Sequence, residues 1–158
     1  MRAGIGFDAH AFADDRPLVL GGVEVPYHRG LVGHSDADVL AHAICDAVLG
    51  AAGLGDVGTH FPSSDARWAN EPSATFLSRV AALAADAGFS IANVDATVIC
   101  EEPALAPHRD AMCEALATAL RVPVSVVSVK ATTTDRLGVV GRGEGAAAIA
   151  IAVLEPTG

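Results

Sequence analysis

A chain of 158 residues, 51% of them hydrophobic, has room for a single domain spanning residues 1–158 with a real core, and is too apolar for a disordered segment. A formal net charge of −9 argues against nucleic-acid binding, which needs a basic surface, and no apolar run approaches the roughly 20 residues that cross a bilayer. Three cysteines (Cys45, Cys100, Cys113), odd in number and without a CxxC, fit reduced thiols; with no signal-peptide pattern, the expected compartment is the cytoplasm.

Residues 2–7 read as a short strand ending where Asp8 begins. LVLGGVEV (18–25) reads as a hairpin turned at Gly21-Gly22. A helix is predicted over 36–52, capped by Ser35, supported by Asp38 and stopped by Gly53. A second helix follows Pro72 and stops near Gly88, residues 89–100 read as a strand, and a third helix covers 107–120. Residues 124–131 read as a strand. In AAAIAIAVL (146–154), Ile149, Ile151 and Val153 alternate with alanines, so this Ala-rich segment has the period of a strand. Its small face is expected to take a closely approaching second subunit. The order predicts an α/β (α+β) two-layer sandwich: a mixed four-stranded sheet, helices on one face, and a small hairpin.

Asp8 and His10 lie on the same side of a strand, and His42 lies on the first helix. Such a set suits a three-ligand metal site with an open fourth position, the arrangement of catalytic zinc. Asp38, His42 and Asp46 share one helix face, and Asp46 is expected to hold the second imidazole nitrogen of His42. An acidic protein that binds phosphates must do so through metal ions, backbone N–H groups and a few placed cations. Three segments have that make-up. GHSDAD (33–38) sets His34 and Ser35 at the expected helix N-terminus, where an anion is favoured. GDVGTHFPSSD (55–65) is a glycine-rich polar loop with Asp56 and Gly58. KATTTDRLGVVGRGEG (130–145) groups three threonines with Lys130, Asp135 and Arg136, a set suited to a diphosphate with a magnesium ion. From the residues alone, a metal-dependent phosphoesterase and a non-catalytic nucleotide- or isoprenoid-diphosphate-binding module fit as well.

DAHAF (8–12), GHSDADVLAHAICDAVLGAAGLGDVGTHFP (33–62) and KATTTDRLGVVGRGEG (130–145) together resemble the 2-C-methyl-D-erythritol 2,4-cyclodiphosphate synthase family over essentially the whole chain. The resemblance implies a homotrimer packed through its sheets, with active sites between subunits. It implies cyclisation of 4-diphosphocytidyl-2-C-methyl-D-erythritol 2-phosphate with release of CMP. One Zn2+ per subunit would sit on Asp8, His10 and His42, and Mg2+ or Mn2+ would accompany the substrate diphosphate at Asp135. Phosphate and erythritol contacts would match Asp8, His10, His34, Ser35, Asp56, Val57 and Gly58, continuing through Phe61, Pro62, Ser63, Ser64 and Asp65. The cytidine pocket, from the adjacent subunit, would match Cys100, Glu101, Glu102, Pro103, Ala104, Leu105 and Ala106. Ala131, Thr132, Thr133 and Thr134 would complete it. His34 and Thr133 would donate hydrogen bonds as charge shifts in the reaction. Three features depart from the pattern. Many relatives carry Glu at Asp135 and Phe at Val139, and the pair Glu101-Glu102 is unusually acidic beside a nucleotide. Val139 and Arg142 would border an axial cavity for an isoprenoid diphosphate, where Arg142 keeps an anion contact and Val139 offers less apolar surface.

Overall fold

The structure, a computed structural model, describes residues 1–158. In chain order the strands are β1 (Arg2–Asp14), β2 (Leu18–Leu20), β3 (Val23–Val25), β4 (Arg29–Leu31), β5 (Phe89–Ile99), β6 (Val127–Thr132) and β7 (Gly145–Pro156). The helices are α1 (Val39–Ala52), α2 (Val57–His60), α3 (Ser73–Asp86), α4 (Arg109–Leu120) and α5 (Gly138–Gly141). The main sheet runs β4-β1-β7-β5-β6, with β5 and β6 parallel and the other neighbours antiparallel; β2 and β3 form the separate hairpin. The expected two-layer, mixed-sheet architecture is present, with a fifth short strand. Arg29–Leu31 pairs with Phe12–Asp14 at the sheet edge. Three residues of Arg, Gly and Leu carry no alternation, so their pairing with the far end of β1 was invisible in the sequence.

β1 is longer than its predicted 2–7, and Asp8 and His10 sit within it, opposite Ala148 and Ala146 of β7. Alternation turns Gly6, Asp8 and His10 toward α1 and leaves Ile5 and Phe7 on the open face. The same rule decides β7, where the expected use of the two faces is reversed. Ala148, Ala150 and Ala152 are buried beneath the chain's own α1, while Ile149 and Ile151 are exposed. The small face therefore serves close packing within the chain. α1 is itself rich in small residues, and Gly4 and Gly6 of β1 complete a surface on which its backbone can rest.

α1 begins later than predicted. Ala37 is left-handed (φ 58°), which prevents helical continuation through it, and the cap is Asp38, whose carboxylate accepts from Ala41 N at 3.0 Å. The other end follows expectation, with Gly53 left-handed at φ 75°. Asp38 is fully buried and also accepts from Gly21 N (2.9 Å) and Gly22 N (2.7 Å), so one carboxylate pins the hairpin turn to the helix start. Burial pushes its pKa up despite these three donors. Asp38→Ala orphans all three N–H groups and is expected to destabilise the chain by about 3 kcal/mol or more, read as a lower urea midpoint. An unchanged midpoint would rule out this anchoring role.

Candidate active site

Asp8 Oδ2, His10 Nε2 and His42 Nδ1 converge on one point, their ligand atoms all within 4.8 Å of one another. The carboxylate oxygen lies 2.9 Å from His10 Nε2 and 3.1 Å from His42 Nδ1. Burial pushes the Asp8 carboxyl up, but hydrogen bonds from His10 and His42 outweigh it and bring the group down to about 2. The Asp8 hydrogen bond raises His10, against its own burial. An anionic oxygen between two imidazole nitrogens is a site for positive charge, supplied by protons or by a cation.

The far sides of both rings are also engaged. His10 Nδ1 donates to the Val32 carbonyl at 2.6 Å, leaving Nε2 as the inward-facing nitrogen. His42 Nε2 lies 3.0 Å from Ser73 Oγ and 3.2 Å from Ser35 Oγ. The expected partner Asp46 does not touch it. Asp46 instead accepts from Val57 N at 2.7 Å, fastening α2 to α1. Helix spacing places Asp46 on the His42 side, but the loop after Gly53 returns across that side and takes the carboxylate. The donor set of one carboxylate and two oriented imidazoles fits a divalent metal.

Beside this centre lies a cleft lined by His10, His34, Ser35 and His42, with Val57, Gly58, Phe61 and Ser63 from the 55–65 loop. Trp68 and Phe76 close it, and neither was expected. Phe61, Trp68 and Phe76 stack on one another at 4.9–5.8 Å between ring centroids, and aromatics spread over sixteen positions give no periodic signal in the sequence. The α1 terminus is capped from within by Asp38, so this segment addresses the cleft through the His34 and Ser35 side chains rather than through a free helix end. Asp56 is drawn into capping α2, accepting from Thr59 N and Thr59 Oγ1 at 2.8 Å each. Asp65 is turned to Arg67 in a two-oxygen ion pair, and neither it, Asp56, Pro62 nor Ser64 lines the cleft.

A second cleft gathers Cys100 through Ala106 with Ala131, Thr132 and Thr133, as expected, and adds Tyr27. It adjoins a cationic hollow where Arg29, Arg136 and Arg142 meet Tyr27, Glu101 and Glu102. Three guanidinium groups in a chain of net charge −9 make a local exception to the overall sign. The acidity at 101–102 has a structural use. Asp135 and Arg136 are left-handed (φ 52° and 64°), and Glu101 holds this turn by accepting from Thr134 N at 3.3 Å and Arg136 N at 3.2 Å. Asp135 N donates to Thr133 Oγ1 at 3.2 Å, which seats the Thr133 hydroxyl against the Asp135 carboxylate. Thr134, Asp135 and Val139 lie outside these two clefts, and Val139 is exposed. Arg142 Nε donates to Glu144 at 2.7 Å. Lys130 is paired with Asp95, away from the threonines' cleft. Burial pushes the Cys100 thiol up to about 11, and its Sγ donates to the Glu102 carbonyl, which suits a structural thiol and not a nucleophile.

The model of the YgbB family matches residues 1–155. The chain belongs to the YgbB family. This YgbB chain is 54% identical over 158 residues to the 2-C-methyl-D-erythritol 2,4-cyclodiphosphate synthase of Syntrophobacter fumaroxidans, covering 100% of this chain and 99% of that one. It is 54% identical over 155 residues to the synthase of the same name from Salinibacter ruber, covering 98% and 99%. Among solved structures it superposes on a 2C-methyl-D-erythritol-2,4-cyclodiphosphate synthase in a CDP-bound form with a TM-score of 0.89 at 34% identity, covering 98% of this chain and 100% of that one. The bifunctional IspDF from Campylobacter jejuni gives a TM-score of 0.95 at 41% identity; 98% of the YgbB chain is covered, and it spans 42% of that longer protein. No helix of the YgbB chain is long and apolar enough to cross a membrane.

Proposed function

We propose that this chain converts 4-diphosphocytidyl-2-C-methyl-D-erythritol 2-phosphate to 2-C-methyl-D-erythritol 2,4-cyclodiphosphate and CMP, in non-mevalonate isoprenoid biosynthesis. The convergence of Asp8, His10 and His42 beside a cleft carrying His34 and Ser35, in a chain matched end to end by synthases of that name, carries the reading.

The reaction is an internal phosphoryl transfer. An oxygen of the 2-phosphate bonds to the β-phosphorus, the bond from that phosphorus to the bridging oxygen breaks, and the electron pair leaves on CMP. The nucleophile is already anionic, so positioning and charge neutralisation supply the catalysis and no strong base is needed. Asp8, His10 and His42 would hold the zinc, and Asp135 would contribute to a magnesium or manganese site. When bound, these ions supply positive charge that polarises the phosphate oxygens and eases departure of CMP. His34 and Ser35 donate to phosphate oxygens in the metal-side cleft. The cytidine base lies in the Cys100–Ala106 cleft, and Arg136 and Arg142 attract the diphosphate toward it. CDP bound to the structural neighbour so described supports a cytidine nucleotide as the ligand class.

A homotrimer with active sites shared between subunits accounts for the uncovered sheet face. Ile5 stands opposite Ile151, and Phe7 opposite Ile149, forming a contiguous exposed apolar patch. Leaving each such side chain wet forgoes about 1–2 kcal/mol, which association recovers.

Phosphorus NMR of the chain with the cytidyl substrate, zinc and magnesium tests the activity: resonances of a cyclic diphosphate and CMP are expected. Inorganic phosphate alone would mean hydrolysis, and an unchanged substrate would mean a binding module. Thr133→Ala is expected to lower kcat by about 10- to 100-fold with KM changed less than threefold, since its hydroxyl acts as charge shifts. A rise in KM alone would assign Thr133 to ground-state binding.

A further inference from the structure

Ser73 is the first residue of α3 and is fully buried, far in sequence from every residue it serves. Its backbone N donates to Asp36 Oδ2 at 2.8 Å, and its hydroxyl donates to Asp36 Oδ1. Asp36 also accepts from Asp38 N at 3.2 Å, so the carboxylate is fixed by three donors. A hydroxyl has one hydrogen. With that hydrogen committed to a carboxylate, which only accepts, Ser73 Oγ can offer His42 Nε2 nothing but a lone pair.

We propose that Asp36 and Ser73 are positioning residues that, in the metal-loaded protein, place the proton of His42 on Nε2 and so leave Nδ1 as a lone pair aimed at the point shared by Asp8 and His10. The inference rests on the reading of Asp8, His10 and His42 as a metal site. It fills the role first expected of Asp46, through a hydroxyl relay rather than directly. It has a consequence in the substrate cleft. Ser35 Oγ already accepts from Ala37 N at 3.3 Å, and the Nε2 proton also faces it at 3.2 Å. Both contacts use its lone pairs, so the Ser35 hydrogen is left to point into the cleft, where an anionic oxygen receives it. The Asp36 carboxylate thereby sets the direction of hydrogen bonding through Ser73 and His42 to Ser35.

Ser73→Ala removes the relay while keeping the backbone N–H bond to Asp36. Zinc affinity, measured by competition with a chromophoric chelator, is expected to weaken roughly 10- to 100-fold. In the zinc-loaded protein labelled at histidine nitrogen, the His42 Nε2–H resonance is expected to be slow to exchange in the parent chain and to lose that protection in the variant. Asp36→Asn is the second arm: it is expected to weaken zinc as well, and Ser73→Ala in the Asp36→Asn background is expected to add little, because the two act as one unit. Parent-like zinc affinity and Nε2–H protection in Ser73→Ala, or additive losses in the double variant, would overturn the relay. Failure of the parent chain to bind zinc would instead overturn the metal reading on which it rests.

Discussion

Replacing His42 by alanine is expected to reduce bound zinc from about one equivalent per chain to background and to lower turnover by at least about 1000-fold. The imidazole is one of three ligand atoms on a centre that offers no other His, Cys, Asp or Glu close enough to substitute. Its loss also removes one of the hydrogen bonds that offset the burial of Asp8, leaving a half-buried carboxylate with His10 alone. The helix itself should survive. Alanine is the best helix former, and α1 is held chiefly by buried Leu40, Ile44, Val48 and Leu49. Metal analysis after gel filtration, together with the thermal midpoint with and without zinc, separates loss of the site from loss of the fold. In the parent, zinc at about 100 times its dissociation constant stabilises by about 2.7 kcal/mol, and that increment should vanish in the variant. A variant that retains a full equivalent of zinc, or full activity of the metal-stripped parent in magnesium alone, would remove zinc from the proposal.

Gly6→Ala is expected to be as damaging, for a reason of packing. A Cβ at Gly6 would stand 1.8 Å from the Ala43 carbonyl oxygen and 2.8 Å from Ala47 N. These are backbone atoms of α1, so no side chain can swing aside, and the helix must lift from the sheet. Overpacking of rigid backbone costs about 3 kcal/mol or more, a large part of the 5–15 kcal/mol that holds a domain together. The expected result is an insoluble chain or a melting midpoint lower by about 10 °C or more. Zinc affinity should fall with it, since β1 carries Asp8 and His10 and α1 carries His42. Gly50→Ala is the control. A Cβ there meets nothing within 4 Å, so removing a glycine from the helix should raise stability by about 0.5–1 kcal/mol. Equal melting midpoints for the two variants would refute the close-approach argument.

The two substitutions separate what local chemistry announces from what packing imposes. Asp8 and His10 were readable because a strand has period two, and His42 because the 36–52 segment is so plainly helical. The clefts were readable in outline because their residues come in contiguous runs, at 33–38, 55–63, 100–106 and 131–133. Where the reading of Asp46 failed, a segment outside the helix had intervened: its carboxylate is claimed by Val57. A carboxylate in a sequence does not say which N–H will reach it first. The alanine face of β7 was correctly read as a place of close approach, but the approaching surface is α1 and not a neighbour.

By itself the sequence determined the types of the longer elements, the convergence-prone trio Asp8, His10 and His42 and the family, because each is written in local period, spacing or motif; the short elements β4, α2 and α5, and the tight turn at 124–126 where a strand was expected, carry no such pattern. Only the tertiary structure decided how the imidazoles are oriented. Ser73 meets His42 across 31 positions and Asp36 across 37, and the direction of those hydrogen bonds follows from where one buried hydrogen must go. Local patterns fix what a segment can become; long-range contacts fix which of its polar groups stay free for chemistry.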